Sequence, residues 1–288
     1  MTQKKLKFVK MQGAGNDYIY VNCIKEIHDL DWNNLSRTLS DRHFGIGSDG
    51  LVLIMPSEVA DCGMRMFNAD GSESQMCGNA LRCIAKYIYE KGYVNDVNLT
   101  IETIPGVIKG KINFIDDIIE SVSVQLSKPA FDASNLPESS KNSPMIDYPL
   151  DIDGNIYEIS CVSVGNPHAV LYVDELTDYL VKNVGTKIEN HPIFPERTNV
   201  EFVKLVNHNS IKLRIWERGS GETLACGSGA CAAGVISIYT KKTNPRIDIE
   251  MPGGMLNVEW AGEKITLTGP AEEVFTGEVI VPSDPVRF

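Results

Sequence analysis

Alternation of apolar and polar positions runs through most of the chain, interrupted by two stretches of helical spacing. LKFVKM (6–11) and YIYVN (18–22) read as strands on either side of the turn GAGND, Gly13 to Asp17. A polar stretch from Asp31 to Ser40 reads as a helix, and LVLIM (51–55) and GMRMFN (63–68) read as the next strands. Leu81, Ile84, Ala85 and Ile88 then recur at helical spacing, with Gly92 placed to end that helix. NLTIET, GVIKGKINF and ESVSVQL return to the strand pattern. From Ser127 to Pro149 the composition shifts to Ser, Pro, Asn and Asp, with Pro129, Pro137, Pro144 and Pro149, which marks a domain boundary or a long connection near one.

The second half repeats the plan. IYEISCVSVGNPHAVLYVD parallels KLKFVKMQGAGNDYIYVN, with Gly165-Asn166 lying 150 positions after Gly15-Asn16. RTNVEFVKLV follows GSDGLVLIM at the same offset, which lays Asn199 over Asp49. Two cysteine stretches follow, DGSESQMCGNALRCIA around Cys77 and GSGETLACGSGACAAG around Cys226. Superposing the cysteines, 149 positions apart, brings Glu73 onto Glu222, Gly78 onto Gly227 and Phe67 onto Trp216. Ala232, Val235, Ile236 and Tyr239 predict a second helix ending near Lys241, Lys242 and Asn244, ahead of Pro245. The remainder is hairpin-like, turning at Gly253-Gly254 and Ala261-Gly262. The expectation is an α+β fold of two pseudo-symmetric duplicated domains, 1–127 carrying Cys77 and 128–270 carrying Cys226. Each is a mostly antiparallel sheet around one principal helix.

Composition narrows the function classes. A chain of 288 residues with 43% hydrophobic and 23% charged positions can bury one large core or two ordinary ones. The formal charge of −11 argues against nucleic acid or an anionic membrane as a partner. No apolar run approaches the roughly 20 residues of a membrane helix, and no signal peptide is read. Seven cysteines, an odd number, do not suggest a disulfide framework, so a reducing cytoplasm is the expected setting.

Each of Cys77 and Cys226 follows a Gly- and Ser-rich turn and opens a helix. A helix N-terminus presents unpaired N–H groups and the positive end of the dipole, which stabilise a thiolate and can also hold a carboxylate. Two such units supply the parts of a racemase: a base for the α-proton and an acid for the opposite face, exchanging roles in reverse. Two neighbouring thiols are expected to rest as one thiolate and one thiol. Cys23, Cys62, Cys83, Cys161 and Cys231 lack matched positions in the two halves and read as structural, as free cysteines usually are. No C-x-x-C or closely paired histidines suggest a metal. Gly227, Gly229 and Ala232 fit G-x-G-x-x-[GA] without a strand leading into them, so a dinucleotide fold is not read. A thiol–disulfide pair remains the alternative of a different class.

MQGAGNDY, NADGSESQMCGNALRC, GNPHAV, RTNVEF and WERGSGETLACGSGACA, in this order and spacing, closely resemble the diaminopimelate epimerase family over nearly the whole chain, from about Lys7 to Gly277. The resemblance implies a cofactor-independent epimerase interconverting LL- and meso-2,6-diaminoheptanedioate on the lysine and peptidoglycan route. It implies no pyridoxal phosphate and no metal, and a cytoplasmic homodimer acting on a small molecule. The family fold has two similar domains, each a sheet around a central helix. Its last strand crosses back to the first domain, here 271–288. Carried over by position, Cys77 and Cys226 become proton donor and acceptor, and Gly78-Asn79 and Gly227-Ser228 supply N–H groups to the carboxylate at the reacting centre. Asn16, Asn68, Asn166 and Asn199, with Glu217 and Arg218, hold the substrate, chiefly its distal end. His168 and Glu217 resemble positions that tune the cysteines, although a lone histidine at a strand start is more often structural. Gly50 stands where some relatives carry glutamine, and Gln12 where histidine is frequent. The nearest rivals are proline racemase-like enzymes and phenazine-pathway-like isomerases, which share the fold.

Overall fold

Alternating burial over Lys5–Phe8, then burial on both faces through Met11, makes KLKFVKMQG strand β1 (Lys5–Gly13). It folds back on β2 (Asn16–Asn22) with Gly13 opposite Asn16. The two residues between them, Ala14 and Gly15, both have positive φ, 56° and 86°, which suits the hairpin turn that follows strand twist. Asp31 starts α1 (Trp32–Ser40) by accepting the Asn34 N–H at 3.1 Å. β3 (Gly50–Met55) runs parallel to β2, and Leu51 to Ile54 are fully buried, as expected of a strand covered on both faces. β4 (Cys62–Asn68) and the short β5 (Glu73–Ser74) lead antiparallel into α2 (Gly78–Glu90). β6 (Asn98–Thr103), parallel to β4, forms a hairpin with β7 (Gly106–Ile115), and β8 (Ile118–Leu126) follows.

The structure describes residues 5–281 as a computed structural model, and the chain divides into two units: 1–124 with 269–288, and 125–268. In the first unit, Leu35 and Leu39 of α1 pack with Ile19, Val21, Leu51, Leu53 and Phe67. α2 buries Leu81, Ile84, Ala85 and Ile88 completely. The leucine and isoleucine side chains each contribute about 1.5–3 kcal/mol of hydrophobic stabilisation. α2 stops where the spacing predicts: Gly92 takes φ +69° and Tyr93 donates to Ile88 O at 2.9 Å.

The second unit contains β9 (Tyr148–Ile152), β10 (Asn155–Ser163) and β11 (Pro167–Tyr172). A π-helical turn at Tyr179–Val184 then runs into α3 (Gly185–Glu189). β12 (Asn199–Asn207), β13 (Ser210–Glu217) and β14 (Gly221–Thr223) precede α4 (Gly227–Tyr239). β15 (Arg246–Met251), β16 (Gly254–Trp260) and β17 (Ile265–Gly269) close the run. β18 (Glu272–Ile280) belongs to the first unit, pairing antiparallel with β1 so that Phe8 faces Gly277. Residues 282–288 of the expected returning segment, and residues 1–4, lie outside the described residues.

The duplication is visible in strand senses and register. β1 to β4 and β10 to β13 both run antiparallel, parallel, antiparallel, and the strands after the principal helices, β6 and β15, pair parallel with β4 and β13. Phe67 lies between Leu51 and Glu73, as Trp216 lies between Val200 and Glu222. Even an ion pair is repeated: Arg65 donates to Glu73 at 2.8 Å and Arg214 to Glu222 at 2.8 Å.

One expectation needs correction, and two features extend the sequence reading. Register places Gly50, not Asp49, at the position of Asn199, because β2 pairs Tyr18 with Gly50 while β11 pairs His168 with Asn199. The Ser- and Pro-rich stretch after Ser127 lies just beyond the division between the units and belongs to the second. Leu136 and Met145 join that unit's core, and Ala130 exchanges backbone bonds with Ser163 at 2.9 and 2.8 Å. The helical stretch Tyr179–Glu189 has no counterpart in the sequence reading.

α4 is apolar on every side and almost wholly buried, whereas α2 carries a polar face. Its close fit depends on Gly234, where a Cβ would lie 2.7 Å from Val258 Cγ1. Gly234→Val is therefore expected to cost about 1–3 kcal/mol by overpacking. A fall in the urea midpoint checks this, and an unchanged midpoint would show that β16 yields freely.

Candidate active site

Cys77 and Cys226 occupy the same local position, the residue before the first turn of a buried helix. Their extended backbones, φ −138° and −131°, let each carbonyl accept the first helical bond, from Leu81 at 3.0 Å and Ala230 at 2.9 Å. Neither neutral sulfur closes a capping hydrogen bond on the helix N–H groups.

In the first unit, Cys77 Sγ lies 3.5 Å from Asn16 Oδ1, which also accepts from Asn79 Nδ2 at 3.1 Å. Asn16 is held from its other side: its Nδ2 donates to Asp49 Oδ2 at 2.7 Å. Asp49 and Asp17 are in turn clamped by Arg42 at 3.0 and 2.7 Å, and Lys10 pairs with Asp17. Four charges therefore fix one asparagine. Asn16, Cys77, Gly78 and Asn79 thus form one cluster, whereas Asn68 ends β4 and donates to Ser72 Oγ at 3.0 Å.

In the second unit, Cys226 Sγ lies 3.4 Å from Ser228 Oγ, which accepts from Asn166 Nδ2 at 3.4 Å. Asn166 Oδ1 meets His168 Nε2 at 2.9 Å, and His168 Nδ1 meets Glu201 Oε1 at 2.7 Å. His168 and Glu201 are both fully buried. Asn199 donates to Pro167 O at 2.9 Å and accepts the Arg218 N–H at 3.0 Å. The Arg218 guanidinium donates to Glu196 O at 2.9 Å, and Glu217 accepts from the Thr223 hydroxyl. Cys226, Gly227, Ser228, Asn166 and His168 are one connected group, and Asn199 joins Arg218.

The expectation that a helix N-terminus leaves a cysteine ionised near neutrality is not met. Burial pushes Cys77 up, against the N–H groups of Ala80 and Asn79, the Tyr18 hydroxyl and the Arg82 charge, all of which favour the thiolate. Burial also pushes Cys226 up, and the negative charge of Glu217 adds to it, opposed by Ser228 and the Gly229 N–H. Desolvation is the larger effect in both. Both therefore rest as thiols, rather than as one thiol and one thiolate. The other five cysteines are buried as a structural reading requires; burial lifts Cys83 to about 11 and Cys62 to about 12.

Several supporting residues are absent from the sequence reading. Glu189 accepts from Trp216 Nε1 at 2.7 Å and from the Gly219 N–H at 2.9 Å, so α3 holds the turn beyond Arg218. Tyr18 stands at the strand position of His168, and Val52 at that of Glu201. Periodicity marks these only as inward-facing positions of β2 and β3. Gly50 is likewise explained by space: a Cβ there would lie 2.2 Å from Phe67 O.

Since the Arg82 charge favours a thiolate at Cys77 whereas the Glu217 charge opposes one at Cys226, the Cys77 thiolate forms first as pH rises. Iodoacetamide is therefore expected to alkylate Cys77 before Cys226 on raising the pH, read by peptide mass spectrometry. Tyr18→Phe removes a donor to the thiolate and is expected to slow Cys77 alkylation about 10-fold. Alkylation of Cys226 first would contradict this electrostatic ordering.

The chain matches the family model described as diaminopimelate epimerase over residues 8–129 and 160–274. A diaminopimelate epimerase of Acetivibrio thermocellus is 45% identical over 276 residues, covering 95% of this chain and 98% of the relative. One from Methanococcus maripaludis is 45% identical, covering 95% and 99%. Among solved structures, a hydroxyproline epimerase from Agrobacterium vitis superposes with a TM-score of 0.71 at 14% identity, covering 97% of this chain and 92% of that one. A phenazine biosynthesis protein of the PhzF family from Bacillus anthracis gives 0.68 at 17%, covering 96% and 100%, so the two structures share the fold. With the family model spanning both cysteine units and relatives matching along nearly their full length, this chain belongs to the diaminopimelate epimerase family of enzymes.

Proposed function

We propose that the chain interconverts LL- and meso-2,6-diaminoheptanedioate without a cofactor, with Cys77 and Cys226 as the two acid–base groups. The observation that carries this reading is the repetition of one device: a cysteine at the start of a buried helix, on matched strands of a duplicated frame. Epimerisation at an α-carbon needs a base on one face and an acid on the other. Two like groups satisfy both directions, because each finishes a turnover in the form the reverse reaction needs.

The proton sequence follows from the electrostatics. As substrate groups replace the lost solvation, Cys77, the thiol that ionises more readily, releases its proton to solvent. The thiolate so formed takes the α-proton, while Cys226, held protonated beside Glu217, delivers its proton to the opposite face. After one turnover the thiol is at Cys77 and the thiolate at Cys226, and the second isomer reverses the transfer. The first-turn N–H groups at Gly78-Asn79 and Gly227-Ser228 receive the carboxylate of the reacting centre, the usual role of helix N-termini toward anions. Asn16, Asn68, Asn166, Asn199, Glu217 and Arg218 hold the remaining polar groups, with Arg218 gripping the distal carboxylate as a two-pronged donor. Lysine and peptidoglycan precursor synthesis is the corresponding route. A cytoplasmic homodimer belongs to the same reading, and the seven free cysteines accord with a reducing compartment.

The test is proton NMR in D₂O with purified protein and no added cofactor. The α-proton signal is expected to disappear from LL- and meso-substrate alike. Cys77→Ser and Cys226→Ser should each lower epimerisation by about 10²–10⁴, the usual contribution of a positioned acid or base. Near wild-type epimerisation by either variant would refute the two-base mechanism, and absence of exchange in the wild type would refute the activity.

A further inference from the structure

We infer that Glu201 is a positioning residue held as the neutral acid, and that it directs a one-way hydrogen-bond chain through His168, Asn166 and Ser228 onto the sulfur of Cys226. The inference rests on the reading of Cys226 as an acid–base group, but the protonation state it assigns can be measured without turnover.

The polarity of the chain follows from its atoms. His168 Nε2 faces a carbonyl oxygen, Asn166 Oδ1, at 2.9 Å, so Nε2 carries a proton. Asn166 then points its amide nitrogen at Ser228 Oγ, 3.4 Å away, which makes the serine oxygen an acceptor there. The serine proton is left for Cys226 Sγ at 3.4 Å. At the other end, His168 Nδ1 and Glu201 Oε1 are 2.7 Å apart and share one proton.

Two observations put that proton on Glu201. Its second oxygen, Oε2, is buried without a hydrogen-bond partner. A carboxylate would leave charge on that oxygen, whereas a protonated acid makes it an ordinary carbonyl, far cheaper to bury. Among the described residues, His168 itself is the positive partner the surroundings could offer: the carboxyl is fully buried, the first turn of α4 closes over it at Gly229, and the other charge nearby is the negative Glu217. Burial accordingly raises the Glu201 carboxyl, against the opposing pull of His168. A neutral Glu201 also removes one of the two negative charges that would oppose a thiolate at Cys226. The reverse polarity would bury an incompletely paired carboxylate and turn the Ser228 hydroxyl away from the sulfur.

The first unit contains no such chain at the matched positions. Val52 stands where Glu201 does and Tyr18 where His168 does, and the Tyr18 hydroxyl favours the Cys77 thiolate directly. A direct phenol donor and a four-member relay thus serve equivalent cysteines.

¹⁵N NMR of the ligand-free full chain with labelled histidine tests the assignment. His168 is expected as the neutral Nε2–H tautomer; an imidazolium, or a ring protonated at Nδ1, overturns it. Alkylation provides the second arm, following Cys226 and Cys77 separately with iodoacetamide. Glu201→Gln keeps an N–H donor to Nδ1 and should leave the Cys226 rate within about twofold, while Glu201→Val, the residue of the other half, should slow it about 10-fold with Cys77 unchanged. An equal loss in both variants would mean that the carboxylate is required, and no loss in Glu201→Val would mean that the relay does not reach the sulfur; either refutes the inference. Absence of α-proton exchange in the wild type would refute the epimerase reading alone, since the NMR and alkylation results stand without it.

Discussion

A sulfur at the start of a buried helix must exchange water for backbone N–H groups, and the rest of this structure is arranged around that exchange. The helix has to be buried for its first turn to be fixed, and burial is what penalises the charge the chemistry needs. In both units the penalty exceeds the help from the N–H groups, so the thiols keep their protons. A resting thiolate would invite oxidation and alkylation. A thiol that ionises only as substrate groups replace lost solvation is inert until needed. The same desolvation that holds the proton makes a thiolate, once formed, a stronger base than it would be in water.

Differences between the halves show what duplication left free to change. The frame is preserved to the level of strand register and of an ion pair repeated at 2.8 Å. What varies is the set of donors behind each sulfur. Asn16 is braced by four charges through Asp49, whereas Asn166 is braced by the uncharged end of a buried relay. The two helices differ as well: α4 is apolar all round and can serve only at its ends, while α2 retains a polar face. Packing constrains the frame residue by residue, but a hydrogen-bond donor can be replaced by any group that delivers a proton to the same point.

That distinction explains what was legible in the sequence. Most of the long strands and both principal helices with their ends were readable because each rests on local periodicity and a stop signal such as Gly92. Cys77 and Cys226 were visible because the duplication repeats their flanking residues. The state of the thiols was not, since the helix N-terminus is a local feature and burial is a tertiary one. Glu201 and Tyr18 were hidden for a related reason: an inward-facing polar residue on a strand looks like any other member of the pattern until its partner, 33 positions away for Glu201, is placed beside it. Glu189 lies in a short helix that the periodicity did not mark. The offset that laid Asn199 over Asp49 failed by one residue, because the connection before β3 is one residue longer than the one before β12 relative to the preceding strands. In a sheet one residue is the difference between two faces.

Unequal tuning of two like groups raises a thermodynamic question. A catalyst cannot alter the equilibrium between its two substrates, so a difference in proton affinity between Cys77 and Cys226 must cancel over a closed cycle. What it can set is the form in which the free protein waits. With both sulfurs protonated in the free protein and Cys226 held more firmly, the first thiolate to form is at Cys77, ready for whichever isomer presents its α-proton there. After that turnover the proton positions are exchanged, and the other isomer must enter or the proton must return through solvent. The Ser228 relay lowers the cost of the less favourable form by solvating the Cys226 thiolate without adding charge. Its position on the slower sulfur, and not on both, is therefore where a donor chain does most to keep the two directions comparable in rate.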